Sequence, residues 1–335
     1  MTEMTLPARA PFDFAATARS LRFTDAEVVD TFRANRYARA LHFGEQLFLL
    51  TVEAQPASTE TGECLALNVK LAPEQFATPQ ILDDAARIVR SMFSLDHDLA
   101  AGRARIFSAR DSLLRRLEVE HRGLHLARWP SLFEALLTSI LLQQIATAVA
   151  VTFRRRVVER YGERLEAGGD TFYAFPRAET MARAGVADLR ALGLSNAKAM
   201  SIIELARACV AGELNAESLE REDNESIIAR LSSLRGVGRW TAEWVLMLYF
   251  GRTDVFPATD LFLRGAVVKY YNKGMAMNER EIRAFAQKRW GAWSSYAALY
   301  FLAGMRAGAI TLKPERVLSS RQAAAKNRAP TGKLT

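Results

Sequence analysis

The stretch from Asn224 to Arg264 constrains the fold more than any other part of this chain. It begins Asn-Glu-Ser-Ile-Ile-Ala-Arg-Leu-Ser-Ser-Leu and continues through Arg-Gly-Val-Gly into Arg-Trp-Thr-Ala-Glu-Trp-Val-Leu-Met-Leu-Tyr-Phe. After a short break it reads Asp-Val-Phe-Pro-Ala-Thr-Asp-Leu-Phe-Leu-Arg. Ile227, Ile228, Leu231 and Leu234 fall at helical spacing behind the N-cap types Asp223 and Asn224. Gly236 and Gly238 flank Val237, and glycine permits positive φ and close backbone approach, so a sharp turn with exposed amides is expected there. A second helix starts near Arg239. Its first amides have no partner within the helix and carry the positive end of its dipole, so such a turn can hold a phosphate without a charged side chain. Trp240, Trp244, Val245 and Leu248 share one face of that helix. Pro257 stops the next segment, and Thr259 or Asp260 caps a third helix. A glycine turn by itself is an ordinary feature of helical hairpins; the ordered set of motifs is what narrows the reading.

The rest of the chain supplies the frame. Residues 1–11 read as disordered and residues 12–95 as an α/β domain. Within it, Tyr37 to Phe43 and Leu47 to Val52 flank a Gly44-Glu45 turn, Cys64 to Lys70 alternates, and Asp83 to Phe93 is helical. From residue 96 to 318 the spacing is helical, with the hairpin at 224–250. Phe172 to Pro176 reads as a loop, and residues 319–335 form a basic tail with no apolar pattern. The fold class is therefore α+β, mainly α, with a small antiparallel sheet in front of helical domains. Net charge is +8 and the pI about 9.7, which suits a polyanionic partner without requiring one. The two cysteines, Cys64 and Cys209, lie far apart, which fits a reducing compartment and leaves no set for a four-cysteine cluster. The four histidines show no zinc-ligand spacing. No leader or membrane-spanning segment is legible.

Three further segments carry polar side chains of interest. Ser131 to Leu142 is an apolar helix ending in Gln143-Gln144, either a plain polar helix end or an exposed loop. Val149 to Tyr161 carries Arg154, Arg155, Arg156 and Arg160, read as a solvated face in preference to a phosphate footprint. Lys198 opens another helix, where it meets a phosphate or simply lies on the surface.

The hairpin Leu234-Arg235-Gly236-Val237-Gly238, with Asp260 one helix and one loop downstream, resembles the helix-hairpin-helix DNA glycosylase superfamily. Phe133-Glu134 and Gln143-Gln144 resemble a second family segment, and the N-terminal sheet resembles the branch of DNA-3-methyladenine glycosylase II. The resemblance implies helical glycosylase domains acting on double-stranded DNA with damaged bases, as a monomer in the bacterial cytoplasm at the nucleoid, with no membrane partner. Asp260 would be the catalytic carboxylate. Trp240 and Trp244 would line the base pocket. Gln144 would be the wedge that fills the gap left by an extruded base, with Gln143 its companion. Arg235, Gly236, Val237, Gly238 and Thr241 would meet the DNA. The carbonyls of Ser232, Leu234 and Val237 would hold a monovalent cation, sodium or potassium; no other cofactor is implied. Arg235 replaces the family proline, Leu142 a glycine, and Leu302 a pocket tryptophan. Bifunctional branches carry a nucleophilic lysine where this chain has Trp240, so a monofunctional enzyme is expected; Lys269 and Lys273 are unsupported substitutes. The alternatives are a glycosylase for oxidised or deaminated bases and a non-catalytic helix-hairpin-helix DNA-binding protein.

Overall fold

The computed structural model describes residues 3–24, 28–56, 65–108 and 110–312. The N-terminal part consists of β1 (Glu3–Pro7), α1 (Phe14–Ser20), β2 (Asp30–Arg33), β3 (Arg36–Phe43), β4 (Gln46–Pro56), β5 (Leu65–Ala72) and α2 (Pro79–Met92). The strands form one antiparallel sheet in the order β1-β5-β4-β3-β2. Gly44 adopts φ +61° in the β3–β4 turn, a conformation that costs glycine little. Tyr37, Phe48, Leu50, Val52, Leu67 and Val69 share a buried core with Val89, Met92 and Phe93. Residues 3–7, expected to be disordered, pair with β5 from Glu3↔Lys70 to Pro7↔Ala66. Main-chain pairing and a single buried side chain, Leu6, anchor that edge strand, too few apolar positions to register as a pattern. Cys64 and the basic tail lie outside the described residues.

The remainder runs α3 (Leu99–Ile106), α4 (Ser112–Glu120), α5 (Leu132–Leu142), α6 (Thr147–Tyr161), β6 (Arg164–Ala167), β7 (Asp170–Tyr173), α7 (Ala178–Ala182), α8 (Val186–Ala191), α9 (Asn196–Val210), α10 (Ala216–Glu220), α11 (Asn224–Ser232), α12 (Arg239–Leu248), α13 (Leu261–Tyr271), α14 (Glu279–Arg289) and α15 (Ser294–Arg306). One core is built on α5, buried from Leu132 to Ile140 and on to Leu141, together with α9, α11 and α12. A second joins α3, α4, α13, α14 and α15 around Trp290, Tyr296, Tyr300 and Phe301. Helix α12 serves both, with Val245 and Leu246 in the first and Met247 in the second. Phe172, expected in a loop, belongs to the β6–β7 hairpin. It is buried against Ala38, Ala40, Leu47 and Leu49, so the hairpin covers the sheet face that α2 leaves open.

A buried charge network joins the two parts. Glu134 on α5 is 1% exposed and accepts from Arg154 on α6 (2.9 Å) and from Arg39 on β3. Arg39 also faces Asp30, which accepts from Arg22 (2.9 Å) and from the Tyr37 hydroxyl (3.0 Å). Arg154 is thus not on the solvated face expected of its helix. A 3.6-residue period places an arginine on a helix side but cannot show that a carboxylate waits there. Glu134→Ala should leave two buried guanidinium groups without their carboxylate and destabilise the protein by about 3–5 kcal/mol, measured by urea unfolding.

Candidate active site

Asp260 is the N-cap of α13, with its backbone in the extended region. Its Oδ1 accepts from the amides of Phe262 and Leu263, both at 3.0 Å, and its Oδ2 accepts from the Trp240 indole Nε1 at 3.2 Å. The cap was expected of Thr259 or Asp260, and the carboxylate takes it. One carboxyl oxygen therefore fixes the side chain to the helix while the other stands beside a tryptophan.

The segment before Asp260 is held on several sides. Val255 and Phe256 are buried, and Phe256 stacks on Trp290 at a ring separation of 5.4 Å. Val255 N–H donates to Ser295 Oγ (3.2 Å), and Asn224 Nδ2 donates to Asp254 (3.0 Å). Thr259 donates to Glu243 (3.3 Å), whose other oxygen accepts from Arg239 (3.0 Å) and Arg283 (2.8 Å). Burial pushes the Glu243 carboxyl up against the opposing pull of these two arginines. The Asp-Val-Phe-Pro motif is thus a strap whose apolar residues anchor it and whose far end presents Asp260.

Asp260, Trp240 and Trp244 line one cleft of about 620 Å³. The tryptophan rings meet edge to face at 6.1 Å, both half-buried. Phe23 and Trp129, tilted together at 6.5 Å, are a second aromatic pair in its lining, and Leu302 and Arg306 of α15 complete the set. Sequence reading missed Phe23, Trp129 and Arg306: they come from three distant segments, and no local pattern links them. Leu261, next in sequence to Asp260, is 74% exposed, an apolar side chain left in water. Neither Lys269 nor Lys273 lines the cleft; Lys269 donates to the Thr311 carbonyl (2.9 Å). Two other clefts, of about 520 and 590 Å³, contain no tryptophan and have arginine-rich walls.

The glycine turn links α11 and α12. Gly236 has φ +76°, and a Cβ on it would collide with the Ser201 side chain. Gly238, however, has φ −101° and ψ 177°, and a Cβ would meet nothing within 4 Å. The expected positive φ holds for the first glycine only. At the second the absent side chain leaves open space outside the protein. Helix α12 starts with no side-chain cap, so its first amides are free for a partner. Val237 is 4% exposed and points inward, so only its main chain can face a partner. Arg235 pairs with Glu204 (3.2 Å) at the surface.

Gln143 and Thr241, expected to touch a partner molecule, are turned toward each other. Gln143 Nε2 donates to Thr241 Oγ1 and to the Gly236 carbonyl, both at 2.8 Å, and Thr241 is fully buried. Gln144 beside them is exposed, at φ +57°. Lys198, left open between a phosphate contact and a surface position, instead donates to the carbonyls of Leu141 (2.7 Å) and Gln143 (2.8 Å) at the end of α5. Burial lowers its pKa.

Gly236→Ala should cost about 1 kcal/mol or more, because the alanine meets both the positive φ and Ser201, while Gly238→Ala should leave the melting transition nearly unchanged. Thermal denaturation of the two variants makes the comparison.

Residues 137–292 match the model of the HhH-GPD superfamily of base excision DNA repair proteins, and residues 3–131 match the AlkA N-terminal domain. The chain is 31% identical over 218 residues to the DNA-3-methyladenine glycosylase of Bacillus subtilis (strain 168), covering 65% of this chain and 71% of that one. It is 28% identical over 308 residues to DNA-3-methyladenine glycosylase 2 of Escherichia coli (strain K12), covering 88% and 95%. A solved 3-methyladenine DNA-glycosylase from Archaeoglobus fulgidus superposes with a TM-score of 0.76 at 26% identity, over 93% of this chain and all of that one.

Proposed function

The chain belongs to the HhH-GPD superfamily of base excision DNA repair proteins, and from that membership we propose that it is a monofunctional DNA glycosylase for alkylated bases. It removes such bases, 3-methyladenine among them, by hydrolysing the N-glycosidic bond. The observation that carries the mechanism is Asp260 facing an aromatic cleft, its other oxygen spent on two helix amides.

An N-alkylated purine is positively charged and leaves readily, so little protonation is required. The enzyme must extrude the nucleotide, at a cost of a few kcal/mol, and stabilise an oxocarbenium-like sugar as the bond breaks. Asp260 Oδ2 supplies the negative charge, with Oδ1 locking the group in place. The indoles of Trp240 and Trp244 offer π faces to the cationic base, each good contact adding about 0.5–2 kcal/mol. With Leu302 in place of a bulkier ring, the wall contributed by α15 is smaller. Among the described residues no lysine lines the cleft, in keeping with a mechanism without a Schiff base, in which water takes the sugar and the strand stays intact.

On the backbone side, the free amides of α12 and the open space at Gly238 receive a phosphate of double-stranded DNA. The carbonyls of Ser232, Leu234 and Val237 would hold a monovalent cation, which would supply positive charge beside that phosphate. In support of this fit, no turn or loop amide among the described residues donates to the Ser232 or Val237 oxygen; the Leu234 oxygen accepts from the Val237 amide (3.1 Å) and keeps one lone pair.

Asp260→Asn should bind methylated duplex DNA as the parent does yet release almost no base, read by chromatography of the liberated bases. In the same preparation borohydride should trap no covalent adduct with the parent enzyme; a trapped adduct contradicts the monofunctional reading.

A further inference from the structure

We propose that Lys198 is a positioning residue for base extrusion: its ammonium holds the Leu141–Gln144 loop in the pose from which Gln144 enters the duplex. The inference rests on the reading above, in which Gln144 fills the gap left by the extruded base.

Helix α5 ends at Leu142, and the last carbonyls of a helix have no amide partner within it. Lys198 Nζ donates to two of the carbonyl oxygens at this end, those of Leu141 and Gln143. A cation at this pole also meets the negative end of the helix dipole. Gln143 then leaves the helix with ψ 132°, and Gln144 takes φ +57°, a region that residues other than glycine rarely occupy. A strained exposed residue persists only where its surroundings hold it. Here Lys198 holds the loop from one side, and the Gln143 amide holds it from the other through Gly236 and Thr241. Both of these hydrogen bonds of the Lys198 ammonium go to this loop.

The arrangement continues along α9. Lys198, Ser201 and Glu204 are spaced three apart and so lie along one side of the helix. Lys198 meets the loop, Ser201 lies under Gly236, and Glu204 pairs with Arg235. One rigid helix thereby sets the separation between the element that probes the base stack and the turn that grips the strand. Ser195 caps that helix by accepting from the Lys198 amide (3.3 Å), which fixes the point from which the lysine side chain starts.

The test compares Lys198→Met and Lys198→Arg with the parent on one alkylated base placed in two DNAs, a fully paired duplex and a single-nucleotide bulge. Single-turnover base release is measured, with circular dichroism to verify folding. Extrusion from the paired duplex is the step that needs the wedge, because an unpaired base is already partly unstacked. Lys198→Met should lose about tenfold or more on the paired duplex and markedly less on the bulge, with Lys198→Arg closer to the parent. Equal losses on both DNAs, or no loss on the paired one, overturn the proposal. Gln144→Ala serves as the separate control for the wedge. If it shows no loss specific to the paired duplex, the wedge role fails and takes the proposal with it. If the parent enzyme releases no base from either DNA, the glycosylase reading itself is at fault.

Discussion

A carboxylate with no access to water, Glu134, holds the two halves of this protein in register. It sits on the most deeply buried helix of the chain and is neutralised by one arginine from the sheet and one from the neighbouring helix. Taking three charges out of water is expensive, and the cost is offset only when every partner is in place. The network therefore does more to specify one arrangement than to add stability. Slide the sheet against α5 and at least one charge is stranded. Phe23 and Ser20 line the same cleft as Trp240, and they reach it from the sheet side of this junction. One wall of the cleft is thus supplied across the junction.

The carboxylate at the cleft follows a similar economy. Asp260 closes the first turn of α13 and also faces the cleft, and the two duties use different oxygens. Capping is what makes the side chain stiff, since a carboxylate held by two amides cannot swing away from its place at the cleft. The strap that delivers it is secured by apolar anchors on one side and by the Glu243 cluster on the other. That cluster in turn ties α12 to α14 through Arg239 and Arg283. The glycine turn, the two cleft tryptophans and the carboxylate are thus parts of one bonded assembly.

Much of this was legible in order along the chain. Asp223, the apolar spacing of α11, the glycine turn, the uncapped start of α12 and Asp260 as a cap are all local rules of helix ends. The strands of the sheet were legible for the same reason, an alternation of period two. Side chains whose meaning depends on a distant partner were not. Arg154 looked like one of several surface arginines, and Lys198 like a surface or phosphate-binding lysine. Gln143 and Thr241 read as contacts for the substrate, and the hydrogen bond between them was not legible. Phe172 pairs with a sheet face more than a hundred residues earlier, and Leu6 joins an edge strand through main-chain bonds that composition does not encode.

The sequence by itself determined most of the elements and marked Asp260 as a helix cap, because caps, turns and amphipathic faces are interactions between residues a few positions apart. Tertiary structure alone decided which polar side chains reach solvent, which are consumed inside the protein, and which rings share the cleft with Asp260. Those outcomes depend on partners supplied by segments remote in the chain, and on the rule that a buried donor, acceptor or charge must find its match.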